Sequence, residues 1–461
     1  MRIDWEWGHV LEVLGELEKL EELEKKHENL EKLPGQHGGM QQVRVLLPGS
    51  APTSELALHD LTCFPPLAAG DRVLVNTTAV RLGLGTGGYH FVQAVLPKEL
   101  PAALQPAAVC PSAARKFGCG DCLPGAPPTT GTPENAAAMA SPGEPSESAS
   151  PDIRLHKVEQ AGLQAEGHIM KLRYTSAQRA VLAVEEPGSP HHDMLRAADS
   201  LDGVPVLIGE LHSMLPVAAA WLRHKEAGRG PGSTGLRLAY VMSDGGALPL
   251  GISRHAARLR GLGWLEGTVT YGHAYGGDLE AVNKFTALLA ARHVLRAGLI
   301  IAVMGPGIAG TGTAYGFSGM ETAELVNAVR ALGGQPVLIP RIGFADKRER
   351  HRGLSAHTRI ALGPAAQARA VVPLPLLADQ AKRSMLRGQE AEAALAARHE
   401  VLWLSPPPAE DIGLALAAYG PPVTTMGRGL AEEPAFFQAV CTAAGHAYER
   451  YLALRASPRD E

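Results

Sequence analysis

Hydrophobic and polar positions alternate with two different periods along this chain. Up to about residue 97, short runs with strand-like alternation (Gly8 to Leu14, Gln42 to Leu47, Glu55 to Leu61, Asp71 to Asn76, Tyr89 to Leu96) are separated by Gly, Pro and Asn turns, which predicts a small β-barrel-like domain. Residues 15–38 break that pattern. There GELEKLEELEKKHENLEKLPGQHGG carries Leu17, Leu20, Leu23, Leu30 and Leu33 among alternating charges, a helical insert that could grip a partner or another copy or stand as an exposed helical hairpin. Residues 98–151 are rich in Ala, Pro, Gly and Ser and read as a flexible linker. From 152 to 461 apolar runs alternate with helical stretches. Val204 to Gly209, Leu236 to Met242, Gly267 to Tyr271, Leu299 to Met304, Pro336 to Ile339, Ala370 to Val372 and Val401 to Leu404 are the predicted strands. Strands alternating with helices predict an α/β fold, a mostly parallel, doubly wound, Rossmann-like sheet with helices on both faces. One expected helix follows Asp278 as its cap and places Leu279, Val282, Phe285, Leu289 and His293 on one face. Another follows Ser318, spaced from Glu321 as in a capping box, presents Leu325, Val329 and Leu332, and stops at Gly333-Gly334.

The longest uncharged stretch, Ala297 to Met320, starts apolar and β-branched and turns into glycine and threonine, so a buried strand is expected to deliver a glycine-rich loop. Gly305, Gly307, Gly310 and Gly312 remove side chains where backbone must turn sharply or approach a ligand, and backbone amides with Thr311, Thr313 and Ser318 suit an anion. Gly305 to Gly310 matches G-x-G-x-x-G, but the loop runs on through Thr313 and the next apolar run ends at Arg341, without the acidic residue that would hold a ribose. No Lys-Ser or Lys-Thr follows Gly310, so a P-loop is not expected either.

Charge and cysteines narrow the classes of partner. A formal net charge of -4 over 461 residues gives no general attraction to nucleic acid or an acidic membrane, and the β-domain lacks a basic, aromatic-rich strand pair. The start lacks a signal peptide's apolar region and no segment is apolar enough to span a membrane, so a soluble cytoplasmic protein is expected. Five cysteines, Cys63, Cys110, Cys119, Cys122 and Cys441, are an odd count that argues against a disulfide framework. The C-x-x-C pair at Cys119 and Cys122 lies in the linker and reads as incidental thiols.

A parallel sheet binds ligands at the carboxyl ends of its strands. Glu210, His212 and Ser213 follow the first predicted strand, Ser243 and Asp244 the second, His273 and Asp278 the third, and the glycine loop the fourth. His273 or His212 is a candidate general base, oriented by Asp244 or Asp278; the same groups leave a divalent metal open, although no H-x-H or H-E-x-x-H motif occurs. Past the fifth strand, Arg348, Arg350, His351 and Arg352, with His357 beyond, are candidates to clamp a phosphate or carboxylate, or to form a solvated surface. No G-x-S-x-G elbow supports serine hydrolysis. The expectation is an enzyme that binds a small anionic, phosphorylated or carboxylated metabolite for group transfer or hydrolysis. The alternatives are a noncatalytic metabolite-binding regulator and a partner-binding scaffold, and a homo-oligomer is compatible with each.

Several segments are similar to those of a bacterial family catalogued as domain of unknown function 3866 (DUF3866). They are NTTAVRLGLGTGGYHFV at Asn76 to Val92, GHIMKLRY at Gly167 to Tyr174, GELHSMLP at Gly209 to Pro216, GHAYGGDLEAVN at Gly272 to Asn283, MGPGIAGTGTAYGFSG at Met304 to Gly319 and RERHRGLSAHT at Arg348 to Thr358. The resemblance covers most of the chain outside the charged insert and the linker, and it implies no activity, cofactor or catalytic residue. Where it leads us to expect paired histidines, this chain reads Ser355-Ala356-His357.

Overall fold

The computed structural model describes residues 5–16, 39–48, 54–61, 64–81, 88–96, 169–172, 179–230 and 235–456. The helical insert from residue 17 onward, the linker, Cys63, Cys110, Cys119 and Cys122 lie outside the described residues.

Five strands, β1 (Trp5–Glu16), β2 (Met40–Leu46), β3 (Glu55–Asp60), β4 (Arg72–Asn76) and β5 (His90–Leu96), close into a barrel in the order β1-β2-β3-β5-β4, with the short helix α1 (Thr78–Arg81) after β4. The long β1 pairs with β4 through its first half and with β2 through its second, and β3 runs parallel to β5. Period-two alternation sends Val10, Val43, Val45, Ala57, Val73, Val75 and Val92 inward, where β-branched side chains fill the narrow interior. That strand order, with its parallel pair, is the five-stranded Greek-key barrel of the OB type. Its β2–β3 face, the one such barrels offer to ligands, is taken here by the α/β part of the chain. Met40 and Leu58 pack with Tyr89, Phe91 and Ile252. Gln42 Nε2 and Arg254 Nη2 both donate to the Tyr89 hydroxyl, at 2.9 and 3.0 Å, and the Tyr275 hydroxyl donates to Asp60 at 3.0 Å.

The α/β part begins with a hairpin, β6 (Ile169–Lys171) and β7 (Arg179–Val181), and helix α2 (His192–Ala197). There follow β8 (Pro205–Gly209), α3 (Met214–Ala227), β9 (Leu238–Ser243), α4 (Arg254–Gly261), β10 (Gly267–Tyr271), β11 (Leu279–Ala281), α5 (Lys284–His293), β12 (Leu299–Met304), α6 (Glu321–Ala331) and β13 (Gln335–Leu338). A two-residue pair, β14 (Ile342–Gly343) with β15 (Gly353–Leu354), leads to α7 (Ala356–Ile360), which widens into a π turn at Ala361–Ala365 around Pro364. The chain closes with β16 (Val371–Pro375), α8 (Gln380–Glu392), α9 (Leu395–Arg398), β17 (Glu400–Leu404), α10 (Ala409–Tyr419) and α11 (Pro434–Ala456). Eight strands form one parallel sheet in the order β11-β10-β9-β12-β8-β13-β16-β17. On β12, Leu299, Ile301 and Val303 face the core under α3, α4, α10 and α11, while Ile300 and Ala302 face the core under α5 and α6. A strand buried on both faces reads as a continuous apolar run, which is why LIIAVM and VLIG stood out in the sequence.

Two expectations are corrected here. Asp278 opens a strand, since Leu279–Ala281 pair in parallel with Val269–Tyr271 at the sheet edge; α5 starts later, capped by Asn283, whose Oδ1 accepts from the Phe285 and Thr286 amides. The apparent helical face failed because ladder hydrogen bonds along β10 claimed its first three residues, leaving Val282 and Phe285 exposed. The Ser318–Glu321 capping box does not form either. Ser318 Oγ accepts from the Ala309 amide at 3.0 Å, and Glu321 turns to the Tyr271 hydroxyl at 2.5 Å and to Lys284.

Candidate functional site

Strands β8 and β9 lead into α3 and α4 on one face of the sheet, whereas β12, lying between them, leads into α6 on the other, and β13 into the π turn on that same second face. Neighbouring strands whose connections leave to opposite faces open a crevice at their carboxyl ends. This crevice lies over β8, β12 and β13.

Glu210 directly follows β8 and Arg341 comes three residues after β13; both are almost fully buried, and Arg341 Nη1 meets Glu210 Oε1 at 3.3 Å. The other carboxylate oxygen faces His357 Nδ1 at 3.5 Å, and that nitrogen is enclosed and makes no hydrogen bond. His357 sits in the first turn of α7, set by Ser355, whose Oγ accepts from the His357 amide at 3.2 Å. Its ring stacks on Phe317 with centroids 3.9 Å apart and planes 8° from parallel, and His351 meets it edge-on at 4.7 Å. Gly319 allows this crowding, because a Cβ there would stand 3.0 Å from Glu210 Oε2.

His351 is wired into the second rank. Arg350 Nε donates to its Nε2 at 3.2 Å, so its proton lies on Nδ1, which donates to Ser355 Oγ at 2.9 Å. Burial, together with the Arg341 guanidinium, pushes its pKa down to about 3.

The glycine loop forms a finger. The Thr311 amide donates to Gly316 O at 2.8 Å and the Ser318 amide to Ala309 O at 2.9 Å; Thr311 Oγ1 meets Thr313 Oγ1 at 2.9 Å. Gly307 and Gly312 hold φ of 104° and 81°, left-handed values that favour glycine, whereas Gly305 packs against Met242 and Leu248. The tip is exposed, with Tyr315 at 61%. Gly310 lies over His357, where a Cβ would be 3.7 Å from Cε1, and a Cβ on Gly312 would be 3.8 Å from Arg350 Nη1.

The expected clamp is therefore divided. Arg350 reaches the finger, and His351 backs it. Arg348 is neutralised by Asp346, whose carboxyl its side chain holds well below the usual range. Arg352 lines a separate open groove with Asp379, Lys382 and Phe344.

The expected catalytic quartet does not assemble. His212 is half-buried and both its ring nitrogens are engaged, Nδ1 at 3.1 Å from Met304 O and Nε2 at 2.7 Å from Ser253 Oγ. A carbonyl only accepts, so Nδ1 carries the proton and Nε2 accepts from Ser253; burial drives the pKa down to about 3. Asp244 accepts from the backbone amides of His273 and Ala247, at 2.7 and 3.1 Å, and so braces two loops without touching the His273 ring. That ring accepts at Nδ1 from the Leu172 amide at 3.1 Å. Asp278 lies beside Thr268 at the amino end of β10, across the sheet from the crevice, bonded to Thr268 and Arg260. The parallel pairing of β11 dictates this, because a residue that opens a parallel strand sits with the starts of its neighbours.

Glu210 was placed at a strand end by the sequence but given no role there, and Arg341 and Phe317 were not read as part of the site. The first two had a legible signal, a single charge closing an apolar strand run; Phe317 had none. Among the described residues no group of three or more His, Cys, Asp and Glu side chains is placed to hold a metal ion, and no helix is long and apolar enough to cross a membrane.

No curated protein and no solved structure matches this chain. The match is to a family model, described as protein of unknown function (DUF3866), over residues 58–109 and 152–444. The chain thus belongs to the DUF3866 family.

Proposed function

We propose that this protein is an enzyme that binds a small anionic metabolite, phosphorylated or carboxylated, in the crevice over β8, β12 and β13 and carries out group transfer or hydrolysis on it. The observation that carries this reading is Arg350. Among the described residues it has no carboxylate partner, and its guanidinium lies beside the finger at Gly312 while its Nε holds the His351 ring. A guanidinium with open donors offers an anion two parallel hydrogen bonds at a position lined by glycine backbone.

A second reading, a noncatalytic regulator that senses the same metabolite, draws on the barrel. The start of α4 after β9 and the loop after β10 carry Arg254 and Tyr275, which bind Tyr89 and Asp60 of the barrel, so a change at the strand ends has a physical route to it.

A thermal-shift screen with inorganic phosphate, nucleotides, sugar phosphates, coenzyme A and carboxylates tests the binding. A ligand selective for the folded state raises the melting temperature in proportion to dose. Arg350→Ala is expected to weaken a hit by roughly ten- to a hundredfold, from the loss of charge-assisted hydrogen bonds. Gly310→Val, whose methyl groups press on Phe317 and His357, is expected to abolish it. A hit that neither variant weakens binds elsewhere and removes the crevice from consideration. Turnover of the hit, lost in His357→Ala, separates the enzyme from the sensor.

A further inference from the structure

We infer that His357 is the proton-transferring group of this crevice and that Glu210 is the residue positioning it, an inference resting on the reading that the anion sits between the finger and Arg350. Four histidines lie at the carboxyl ends of the strands or just behind them, and their ring nitrogens tell them apart. His212 and His351 each have both nitrogens engaged inside the protein, and His273 spends Nδ1 on the Leu172 amide. His357 is different. Nδ1 faces the buried Glu210 carboxylate at 3.5 Å, while Nε2 makes no hydrogen bond with any described residue and looks toward the finger, 3.8 Å from where a Cβ on Gly310 would be.

Packing fixes the plane of the ring, with Phe317 over one face and His351 edge-on, and Glu210 facing Nδ1 sets which nitrogen is turned to the finger. The charged and titratable groups around it are Glu210 after β8, Arg341 after β13, and His351 with Arg350 from the turn before α7. Arg341 holds the far oxygen of Glu210, at 3.3 Å, and leaves the near one to the ring. When a substrate hydroxyl or an attacking water approaches Nε2, its O–H bond breaks, the electron pair stays on oxygen, and an N–H bond forms at Nε2. The ring then carries the new proton at Nε2 and keeps its original one at Nδ1, where Glu210 balances the charge. Gly310 and Gly319 have no side chain because one would fill the approach to Nε2 and the other would strike the carboxylate.

The test is acylation of the full-length protein by diethyl pyrocarbonate at neutral pH, followed histidine by histidine by peptide mass spectrometry. His357 is expected to react faster than His212 and His351. In Glu210→Gln, which keeps the side chain's size and removes its charge, the reactivity of His357 relative to His351 in the same molecule is expected to fall roughly tenfold, because the carboxylate facing Nδ1 is gone. Should that variant not fold, Glu210→Asp, which withdraws the carboxylate by one carbon, is expected to lower the ratio by less. An unchanged ratio, or a His357 no more reactive than His351, overturns the inference. Inorganic phosphate added to the wild type separates the two readings. Phosphate that slows His357 with an unchanged ratio in Glu210→Gln keeps the anion seat and sinks the proton-transfer pair, whereas a lowered ratio with no slowing by phosphate keeps the pair and sinks the seat.

Discussion

The carboxylate of Glu210 and the guanidinium of Arg341 are each at most 7% exposed, so each is the other's replacement for water. Glu210→Ala strands a buried cation, and the expected cost is about 3–5 kcal/mol of unfolding free energy, read by urea denaturation. Adding Arg341→Ala to that variant is expected to recover part of the loss, since the double variant buries no unpaired charge. A double variant as costly as the sum of the two single changes would show that the pair does not act as a unit. At this scale the sequence was partly legible. Glu210 and Arg341 announce themselves as charges closing apolar runs, but only the folded chain brings residues 131 positions apart within 3.3 Å.

Three histidines, His351 buried and His212 and His255 half-buried, tie elements together and make stability depend on pH. His212 links the end of β12 to the cap of α4, His255 on α4 bonds the Tyr419 hydroxyl on α10, and His351 links the turn before β15 to the cap of α7. Burial holds His212 at about 3, His255 at about 4 and His351 at about 3, against 6.5 for a free imidazole. The unfolded chain therefore takes up protons between those values and 6.5 that the folded chain refuses. Their contribution is fully present above pH 6.5 and is lost as the pH falls through the window below it, at up to about 1.4 kcal/mol per pH unit for each histidine. Urea unfolding at about pH 7 and about pH 5 is expected to differ by several kcal/mol. A flat profile would mean that these rings take up protons in the native state as readily as in the unfolded chain. Element boundaries were read well where strands are buried on both faces, as at Gly267–Tyr271 and Leu299–Met304. They were misread at Asp278 and Ser318, because a three-residue edge strand has too little pattern to outvote helical spacing, and because a serine spaced for a cap bonded across the finger instead.

The barrel meets the α/β part through a small apolar patch and through two tyrosine hydrogen bonds, Arg254 to Tyr89 and Tyr275 to Asp60, so their association should yield to one charge. Leu58→Asp places a carboxylate among Met40, Tyr89, Phe91 and Ile252. The expected result is faster amide exchange in β2, β3 and β5 with β8, β9 and β12 unchanged, since the sheet keeps its own two cores. Unchanged exchange in the barrel would show that the patch does not hold it. The sequence by itself determined the layer architecture: period-two runs bounded by turn residues can only make a small β-structure, and apolar runs alternating with helical stretches can only bury themselves as a sheet covered on both faces. It also located the glycine finger and the basic turn as chemistry in waiting. What only the tertiary structure decided is which of the polar residues share a crevice. Strand order is set by long-range pairing, and inserting β12 between β9 and β8 placed the finger over Glu210 while the pairing of β11 carried Asp278 to the opposite edge. Local sequence does not encode which strands become neighbours, because that is settled by the free energy of packing the whole sheet.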